Sequence, residues 1–458
     1  MADRRPNDRL ARLIEEAGFS NKSFASAVRR TAGEAGTPIG CDHTSVSRWL
    51  SGYKPRADAA ELIVATLSRA LGRAVTLADA GLAASQKVPV DLGLTCPESA
   101  DESVETISRL WQADLNEAST LVKAQAQPSA WKDASLTWLL SPSTAAAGRS
   151  CGPRVGQSDI ARFRATVDLF TQMDNRFGGG HARHALIQYL AGDGARLLTG
   201  QFTDATGRVL FSAVSEATLL AAWMSYDSGL HSLAQRYFVQ ALALARFGDD
   251  RLLSASILDA MSHQATFLGR FRDAANLARA ARQGAQGVAT PTLTSHFLTM
   301  EARALARLGD ARGCDLALAE AVREFERRNP DDDPEWIRYF DDAEMAAELG
   351  HCFRDLGRAV NATEYAAQCV GTIDGGTYLR SDFFATMVLA DAHLAAGEAE
   401  QACHVALHAL RLGDQLRSAR CVSYLREFTV RLAPASGSRS LRDFHEQARE
   451  FSLWQQVQ

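Results

Sequence analysis

Residues 41–56, CDHTSVSRWLSGYKPR, contain short polar side chains followed by apolar ones at the spacing of a helix. In a helix that enters the major groove of DNA, polar residues at the N-terminal end contact base edges. That end here carries five polar residues: His43, Thr44, Ser45, Ser47 and Arg48. Val46, Trp49 and Leu50 would face inward and hold the helix to its own domain. Lys54, in the GYKP that follows, is placed to bind a DNA phosphate.

Motifs of enzymes are missing from the sequence. It contains no Gly-rich phosphate loop followed by Lys and Ser/Thr, no GxSxG and no HExxH. GGGHARH, residues 178–184, has neither a preceding predicted strand nor the Lys-Ser/Thr pair. Two His pairs lie one helical turn apart, but no other ligands complete a metal site beside either: His181 with His184, and His404 with His408. We therefore expect no enzyme activity, no cofactor and no metal.

Composition is that of a cytoplasmic globular protein. At 458 residues the chain is too long for one ordinary core, and it is 46% hydrophobic and 22% charged. We find no run of about 18 uncharged apolar residues, and no apolar segment follows the charged N-terminus, so neither a membrane span nor a secretory signal is expected. The eight cysteines are scattered without a CxxC pair, which predicts free thiols.

Charge is distributed unevenly along the chain. Residues 1–73 contain twelve Lys or Arg and eight Asp or Glu, a net charge of +4, whereas the remainder holds 37 basic and 46 acidic residues, a net charge of -9. A basic N-terminal segment on an acidic body is typical of a small nucleic-acid-binding domain joined to a larger domain of another role. From this charge distribution we expect the N-terminal segment to bind DNA and the protein to be cytoplasmic and associated with the nucleoid.

Helical periodicity and turn residues divide the chain into four parts. Residues 1–84 read as a compact helical domain that contains the quoted helix. Residues 85–157 read as a linker with helical segments, because a linker-like stretch (residues 88–99) and a stretch rich in Gly, Pro, Ser and Ala (residues 141–156) lie near its two ends. Residues 158–432 are helical and repetitive, and residues 433–458 form a C-terminal helix or tail.

Five glycines mark the repeats: Gly229, Gly269, Gly309, Gly357 and Gly397. They are spaced by 40, 40, 48 and 40 residues. Small residues recur seven positions before each glycine and five and twelve positions after it. Two antiparallel helices meet closely only where small side chains face each other, and glycine permits the tight turn between them. The pattern therefore predicts five helix pairs.

These helix pairs resemble tetratricopeptide repeats, in which glycine occupies the turn and small residues follow at five and twelve positions. AAWMSYDSGLHSLAQRYFVQALALA, residues 221–245, matches best. The resemblance implies an all-α superhelix whose concave face is lined by the first helix of each pair. Counting back from the glycines predicts the groove residues Trp223, Tyr226, Asp259, His263, Arg303, His351, Arg354 and Asp391. Such a set suits an extended peptide or an amphipathic small molecule.

The N-terminal domain resembles the lambda-repressor-like (XRE) helix-turn-helix family. That family carries two polar residues, Ser or Thr, an aliphatic residue, two variable residues, an aromatic residue or Leu, and Gly three positions later, as residues 43–52 do. The resemblance implies that bases are read by His43, Thr44, Ser47 and Arg48. It implies phosphate contacts from Asn21, Ser45, Lys54 and Arg56. The loop between the second and third helices is about ten residues longer than in the family.

Nearly the whole chain resembles helix-turn-helix–repeat regulators of filamentous high-GC bacteria, which govern antibiotic production and sporulation, through DNRFGGGHAR, AAWMSYDSG and AQRYFVQAL. More distantly it resembles the peptide-pheromone-responsive regulators of Gram-positive bacteria. Both imply a transcription regulator, usually a homodimer; the second family also implies a peptide in the repeat groove, whereas the first does not supply a ligand. We expect binding to double-stranded DNA at an inverted repeat, with a peptide or small-molecule effector in the repeat groove. The alternative is a non-enzymatic scaffold whose helical head binds a protein partner.

Overall fold

The computed structural model describes residues 6–37, 39–73, 75–77, 79–82, 88–116, 119–140, 145–370, 378–435 and 439–457. These residues form helices and no strand, with only the isolated bridges Arg149–Phe202 and Arg154–Gln201 between extended segments. The all-α class predicted from the sequence is therefore confirmed. The chain divides into two compact units, residues 1–88 and residues 89–458, and each is described by itself.

The described residues of the first unit contain four helices: α1 (Asp8–Glu16), α2 (Asn21–Glu34), α3 (His43–Leu50) and α4 (Ala57–Leu71). The first three begin after a side chain that accepts a backbone N–H of the first turn, which satisfies a donor that the helix itself leaves unpaired. Their apolar stripes meet in one core: Leu10, Ile14, Phe24, Val28, Val46, Trp49, Ile63 and Leu67. The core fixes α3 against α2.

Asn7 joins the beginning of the first unit to its end. Its backbone N–H donates to Leu50 O at 2.8 Å, and its Nδ2 donates to Ala80 O at 2.9 Å. Inside the unit, Thr66 Oγ1 of α4 donates to Thr31 Oγ1 of α2 at 3.0 Å, and both residues are buried. These bonds connect segments far apart in the sequence: they link the N-terminal residues to the end of α3 and α2 to α4.

The second unit begins with helices that precede the predicted repeats: α5 (Ala100–Leu115), α6 (Ser119–Val122), α7 (Pro128–Leu140), α8 (Gln157–Phe177), α9 (Gly179–Tyr189) and α10 (Ala195–Leu198). A π-helical turn, Leu190–Gly194, joins α9 to α10. Five helix pairs follow: α11 (Asp204–Asp227) with α12 (His231–Phe247), α13 (Arg251–Phe267) with α14 (Phe271–Gly284), α15 (Pro291–Leu308) with α16 (Ala311–Glu326), α17 (Asp342–Asp355) with α18 (Ala359–Val370), and α19 (Leu379–Ala395) with α20 (Ala399–Gly413). The unit ends with α21 (Ala419–Leu432), α22 (Arg439–Ala448) and α23 (Ser452–Gln455).

The five predicted turn glycines lie between the helices of the five pairs. All five have positive φ, between 72° and 83°, a conformation that other residues adopt only with strain. Small residues let the paired helices approach closely, and serine hydroxyls bond across the gap. Ser215 Oγ of α11 donates to Ala241 O of α12 at 2.7 Å, and Ser262 Oγ of α13 donates to Ala274 O of α14 at 2.8 Å.

The segment predicted as a linker, residues 85–157, packs into the second unit where it is described. Trp111 of α5 and Trp131 of α7 are fully buried. Tyr237 Oη of α12 donates to Asp114 Oδ2 of α5 at 2.6 Å. A Cβ at Gly284 of α14 would lie 2.0 Å from the Trp138 ring of α7, so that glycine admits the indole. These helices therefore cover the outer side of the first two pairs.

The second unit closes on itself, because its first long helix contacts its last pair. Asp174 of α8 and Arg380 of α19 form a bidentate pair with N···O distances of 2.9 and 2.8 Å. Arg417 N donates to Phe177 O at 2.8 Å, and Gly180 N donates to Arg417 O at 3.0 Å. We call this contact between residues 174–180 and residues 380 and 417 the closure joint.

The GGG of DNRFGGGHAR lies in the closure joint. A Cβ at Gly178 would lie 3.0 Å from Arg417 O, one at Gly180 2.9 Å from the same atom, and one at Gly179 2.5 Å from Met224 O. Real Cβ atoms do not approach backbone oxygen that closely. These three positions therefore lack side chains because two stretches of backbone pass directly over them.

One helix among the described residues, Asp204–Asp227, is long and apolar enough to cross a membrane by length and composition. Of its most apolar window, 72% is buried inside the structure, as in a core helix of a globular domain. The eight cysteines all lie in described segments and are free thiols, six of them buried.

Candidate nucleic-acid interface and candidate ligand site

Asp42 fixes the N-terminal end of α3, where base contacts were predicted. Its Oδ1 accepts the backbone N–H of Ser45 at 2.8 Å and the Ser45 hydroxyl at 2.8 Å, while Asp42 N donates back to Ser45 Oγ. Hydrogen bonds from Thr44, then from Ser45, hold the pKa of Asp42 well below its ordinary value. The capping box is therefore charged and closed at neutral pH.

The four predicted base-reading residues, His43, Thr44, Ser47 and Arg48, are all exposed. Val46 and Trp49 are buried beneath them, as predicted. Thr44 Oγ1 donates to Asp42 Oδ1 at 2.7 Å, and the Arg48 guanidinium lies over the Tyr53 ring, 4.9 Å from its centroid. Stacking on Tyr53 limits the rotamers of Arg48, so its donors are held at the surface of α3.

The predicted phosphate-binding residues lie around the same helix. Asn21, at the start of α2, donates through Nδ2 to Ser47 Oγ of α3 at 3.3 Å. The Ser45 hydroxyl already serves the capping box, which leaves only its acceptor capacity for other partners. Lys54 and Arg56 are exposed in the segment that leads from α3 to α4. The structure thus gathers Asn21, Lys54 and Arg56 on the margins of α3.

A shallow surface groove on α2 adds residues that the sequence reading did not select. It is lined by Phe19, Ser20, Lys22, Ser23, Ser26, Ala27 and Arg30. The two cations and three hydroxyls lie at and after the N-terminus of α2. In the sequence, these residues could have been found from the Ser, Lys and Arg residues that recur along residues 20–30.

In the second unit, the first helices of the five pairs form a row, each contacting the next. Helix α21 lies along this row. Arg420 stacks between Tyr226 of α11 and Phe384 of α19, with ring centroids at 4.7 and 4.5 Å. Arg431 pairs with Asp391 of α19 at 2.7 Å. The face predicted as the ligand groove is therefore covered, at these contacts, by a helix of the same chain.

A small cavity remains between α21 and the row. It is lined by Tyr226, His263, Thr266, Phe267, Met300, Arg303, Arg307, Arg354, Asp355, Tyr424 and Glu427. Four of the predicted groove residues are thus brought together at one site: Tyr226, His263, Arg303 and Arg354. Its volume is about 40 Å³. An extended peptide does not fit in this closed form.

The other four predicted groove residues lie beside the cavity, in contacts with protein groups. Asp259 pairs with His296 at 2.8 Å, and Asp391 pairs with Arg431. The Trp223 ring meets the His263 ring at 5.3 Å between centroids, and the His351 ring meets Tyr424 at 5.9 Å. Of these, Trp223 and His351 contact residues that line the cavity, His263 and Tyr424, without lining it themselves.

Arginines dominate the electrostatics of this site. Arg303 Nη1 donates to both Glu348 oxygens at 3.1 and 3.0 Å, and Arg354 donates to Asp355 through Nε and Nη2. Burial, and then the charges of Arg420 and Arg303, push the pKa of His263 well below its ordinary value. Burial, and then Arg303 and Arg354, do the same for the pKa of His351. Both imidazoles are therefore neutral at physiological pH.

Sequence reasoning missed the residues that α21 contributes, Arg420, Tyr424 and Glu427. They lie beyond the last turn glycine, so counting from the repeat pattern cannot reach them. Among the described residues, no group of three or more His, Cys, Asp or Glu side chains is arranged to hold a metal ion.

A comparison with protein families places a match on the first unit of this chain. A family model described as the SP15 N-terminal domain matches residues 10–83, about one sixth of the chain. The matched residues begin in α1 and extend past α4, so they cover the helices of the first unit. Comparison with the curated proteins found no relative of this chain.

Proposed function

We propose that this protein is a sequence-specific DNA-binding transcription regulator. Its first unit acts as an XRE-like helix-turn-helix, and its second unit, a tetratricopeptide-like repeat domain, dimerises and senses a small ligand. One observation carries the proposal: α3 exposes His43, Thr44, Ser47 and Arg48 above the buried Val46 and Trp49. An exposed polar N-terminal face on a firmly anchored short helix is what readout in the major groove requires.

Charge and hydrogen bonding add support. Asn21 of α2 donates to Ser47 of α3, a direct link between the two helices that supports their assignment as a helix-turn-helix pair. Exposed Lys54 and Arg56 flank α3, and Lys22 and Arg30 line the groove on α2. Contacts to phosphates would set the register of the protein on the duplex, and the α3 side chains would supply specificity.

The decisive experiment is genome-wide binding of the tagged protein in its own cells, beside a Thr44→Ala/Arg48→Ala double variant. We expect wild-type peaks to share an inverted repeat and the double variant to lose them with its helical content intact. Arg69→Ala is the matched control, because Arg69 is an exposed arginine on α4 that pairs with Glu34 of α2 and was not predicted to contact DNA. An unchanged motif in the double variant would refute the assignment of α3.

The scaffold alternative is separated by salt. Binding through several phosphate contacts weakens by orders of magnitude between about 50 and 200 mM salt, because each contact releases condensed counterions. A mainly apolar contact with a protein partner would change little over that range. Dimerisation is tested separately by measuring the mass of the full chain in solution by light scattering.

A further inference from the structure

The cavity between α21 and the first helices holds polar groups that the protein leaves unpaired. Thr266 is buried, lines the cavity, and its hydroxyl has no hydrogen-bond partner. Arg303, 8% exposed, donates to Glu348 through Nη1 alone; its Nε and Nη2 make no hydrogen bond among the described residues, and unlike the Thr266 hydroxyl they are not fully buried atoms. Unpaired buried donors are costly, and a folded protein retains them mainly where water or a ligand completes them.

The cations of the lining outnumber its carboxylates. Arg303, Arg307 and Arg354 face Asp355 and Glu427. Asp355 already accepts two bonds from Arg354, at 2.9 and 2.8 Å. Glu427 lies 3.8 Å from Arg307 and 3.6 Å from Arg431. Both carboxylates are therefore compensated by arginine, and Glu348 balances the charge of Arg303. What the lining still offers an anion is guanidinium N–H groups that make no hydrogen bond to the described part of the chain, on Arg303 and on Arg307, whose carboxylate partners lie 3.8 Å away.

Size narrows the choice of occupant. A cavity of about 40 Å³ holds about three water molecules, since each needs roughly 10–15 Å³. A nucleotide or a peptide is far larger than this space. A single oxyanion group is close to it in size, and guanidinium groups bind carboxylate and phosphate oxygens through charge-assisted hydrogen bonds.

We propose that this cavity binds one oxyanion group, a phosphate or a carboxylate, of a small molecule, held by Arg303, Arg307 and the Thr266 hydroxyl. The inference deepens the ligand-sensing part of the proposed function and rests on it. Because Tyr424 and Glu427 of α21 line the same cavity, the occupant contacts α21 and the row of first helices together. It therefore stabilises the form in which α21 covers the row.

The test uses the full chain without DNA, titrated with inorganic phosphate in one arm and acetate in the other. Chloride keeps the ionic strength constant, and the melting temperature and calorimetric heat are the readouts. We expect one or both anions to bind and to raise the melting temperature. Phosphate alone would assign a phosphoryl ligand, acetate alone a carboxylate ligand, and both a site that accepts either. Binding by neither anion overturns the proposal.

Two variants test the residues. Arg307→Gln removes a one-third exposed guanidinium whose carboxylate partners are no closer than 3.8 Å, so folding should be retained. We expect its affinity for the anion to fall about tenfold, as for loss of one charge-assisted bond. Thr266→Val keeps the side-chain shape without the hydroxyl and should also weaken binding. Arg272→Gln, at an exposed position on α14 outside the cavity, is the matched control.

Equal affinity in wild type, Arg307→Gln and Thr266→Val would place the anion elsewhere and refute the site. The Thr44→Ala/Arg48→Ala variant separates this result from the DNA-binding proposal, because its changes lie in the first unit. If that variant binds the anion but wild type binds no DNA, the regulator function fails and the site stands. If wild type binds DNA but no anion, only the site fails.

Discussion

Replacing Asp174 with Asn tests whether the closure joint stabilises the second unit. Asp174 is 2% exposed, and its carboxylate receives both Nη atoms of Arg380, a residue 206 positions later in the chain. The change keeps the size of the side chain and removes its charge. Arg380, with a 16% exposed side chain, then loses its bidentate partner in a mostly buried environment.

Removing one partner of a buried ion pair costs about 3–5 kcal/mol, because the other charge is left uncompensated. We expect the lower end, about 3 kcal/mol, because Asp227 Oδ2 lies 3.5 Å from Arg380 and retains part of the attraction. At about 1.4 kcal/mol per factor of ten, opening of the joint should become about a hundredfold more frequent.

Hydrogen exchange measures this opening directly. Amides of residues 174–180 and 417–422 should exchange faster in Asp174→Asn, whereas those of α13 and α14 should change little. Asp193→Asn is the matched control, because its pair with Arg196 is about half exposed and contributes little. Equal protection of the joint in the two variants would contradict the reasoning.

A double-mutant cycle provides a second check. Arg380→Gln alone leaves the Asp174 and Asp227 carboxylates buried without that cation. The combined Asp174→Asn/Arg380→Gln variant should lose less free energy of unfolding than the sum of the single losses, because it removes both charges of the pair. Strict additivity would show that the two side chains do not interact.

Three further predictions follow from other parts of the structure. Gly179→Ala should lower the melting temperature by several degrees, because its Cβ would lie 2.5 Å from Met224 O. Gly192→Ala is the control: a Cβ added there would have no atom within 4 Å, so the melting temperature, measured by circular dichroism, should stay unchanged or rise slightly. Burial, and then the charge of Glu348, raises the pKa of Glu344 from 4.5 to about 7. The folded state therefore favours protonated Glu344, so its contribution to the free energy of unfolding is complete below about pH 4.5 and is lost as pH rises through 7. In denaturant titrations, Glu344→Gln should stabilise the protein at about pH 8 and make its stability depend less on pH between about pH 5 and 8. Val46→Ala should lower both the melting temperature and operator affinity, since it removes a fully buried anchor of α3, whereas Thr44→Ala/Arg48→Ala should lower affinity alone; a melting temperature that falls equally in both would contradict the separation of anchor from reader.

Local patterns were sufficient to predict the helix pairs. Each turn glycine has a fixed distance to small residues in the same pair, so a window of about 40 residues contains the whole signal, and the structure has helices and turns at those positions. The same holds for α3, whose cap, exposed face and buried anchors lie within ten residues. A helical stripe and a capping residue are short-range features that a single sequence displays.

The closure joint and the cavity could not be predicted in this way. GGGHARH has the glycines of a phosphate-binding loop, yet Gly178 and Gly180 admit the backbone of Arg417, over 200 residues later, and Gly179 admits that of Met224. Likewise, Arg420 and Tyr424 reach the first helices only because the unit closes on itself. Contacts of this kind join segments far apart in the sequence, such as Asp174 and Arg380, and a local repeat period does not specify them.

The adjacency of Tyr226 and Asp227 connects the cavity with the closure joint. Tyr226 lines the cavity, and Asp227, the next residue, accepts the Ser418 hydroxyl at 2.8 Å and lies 3.5 Å from Arg380. Arg420 lies over the Tyr226 ring and 3.9 Å from Asp227. A displacement of α21 must therefore change both places at once. A ligand can shift the balance between closed and open forms only by its difference in affinity for them. An anion held by Arg303, Arg307 and Thr266 has that difference through Tyr424 of α21, which lines the same cavity and moves away from it when the joint opens. Faster exchange at the joint in Asp174→Asn should consequently be accompanied by weaker anion binding, and unchanged affinity would show that the two places act independently.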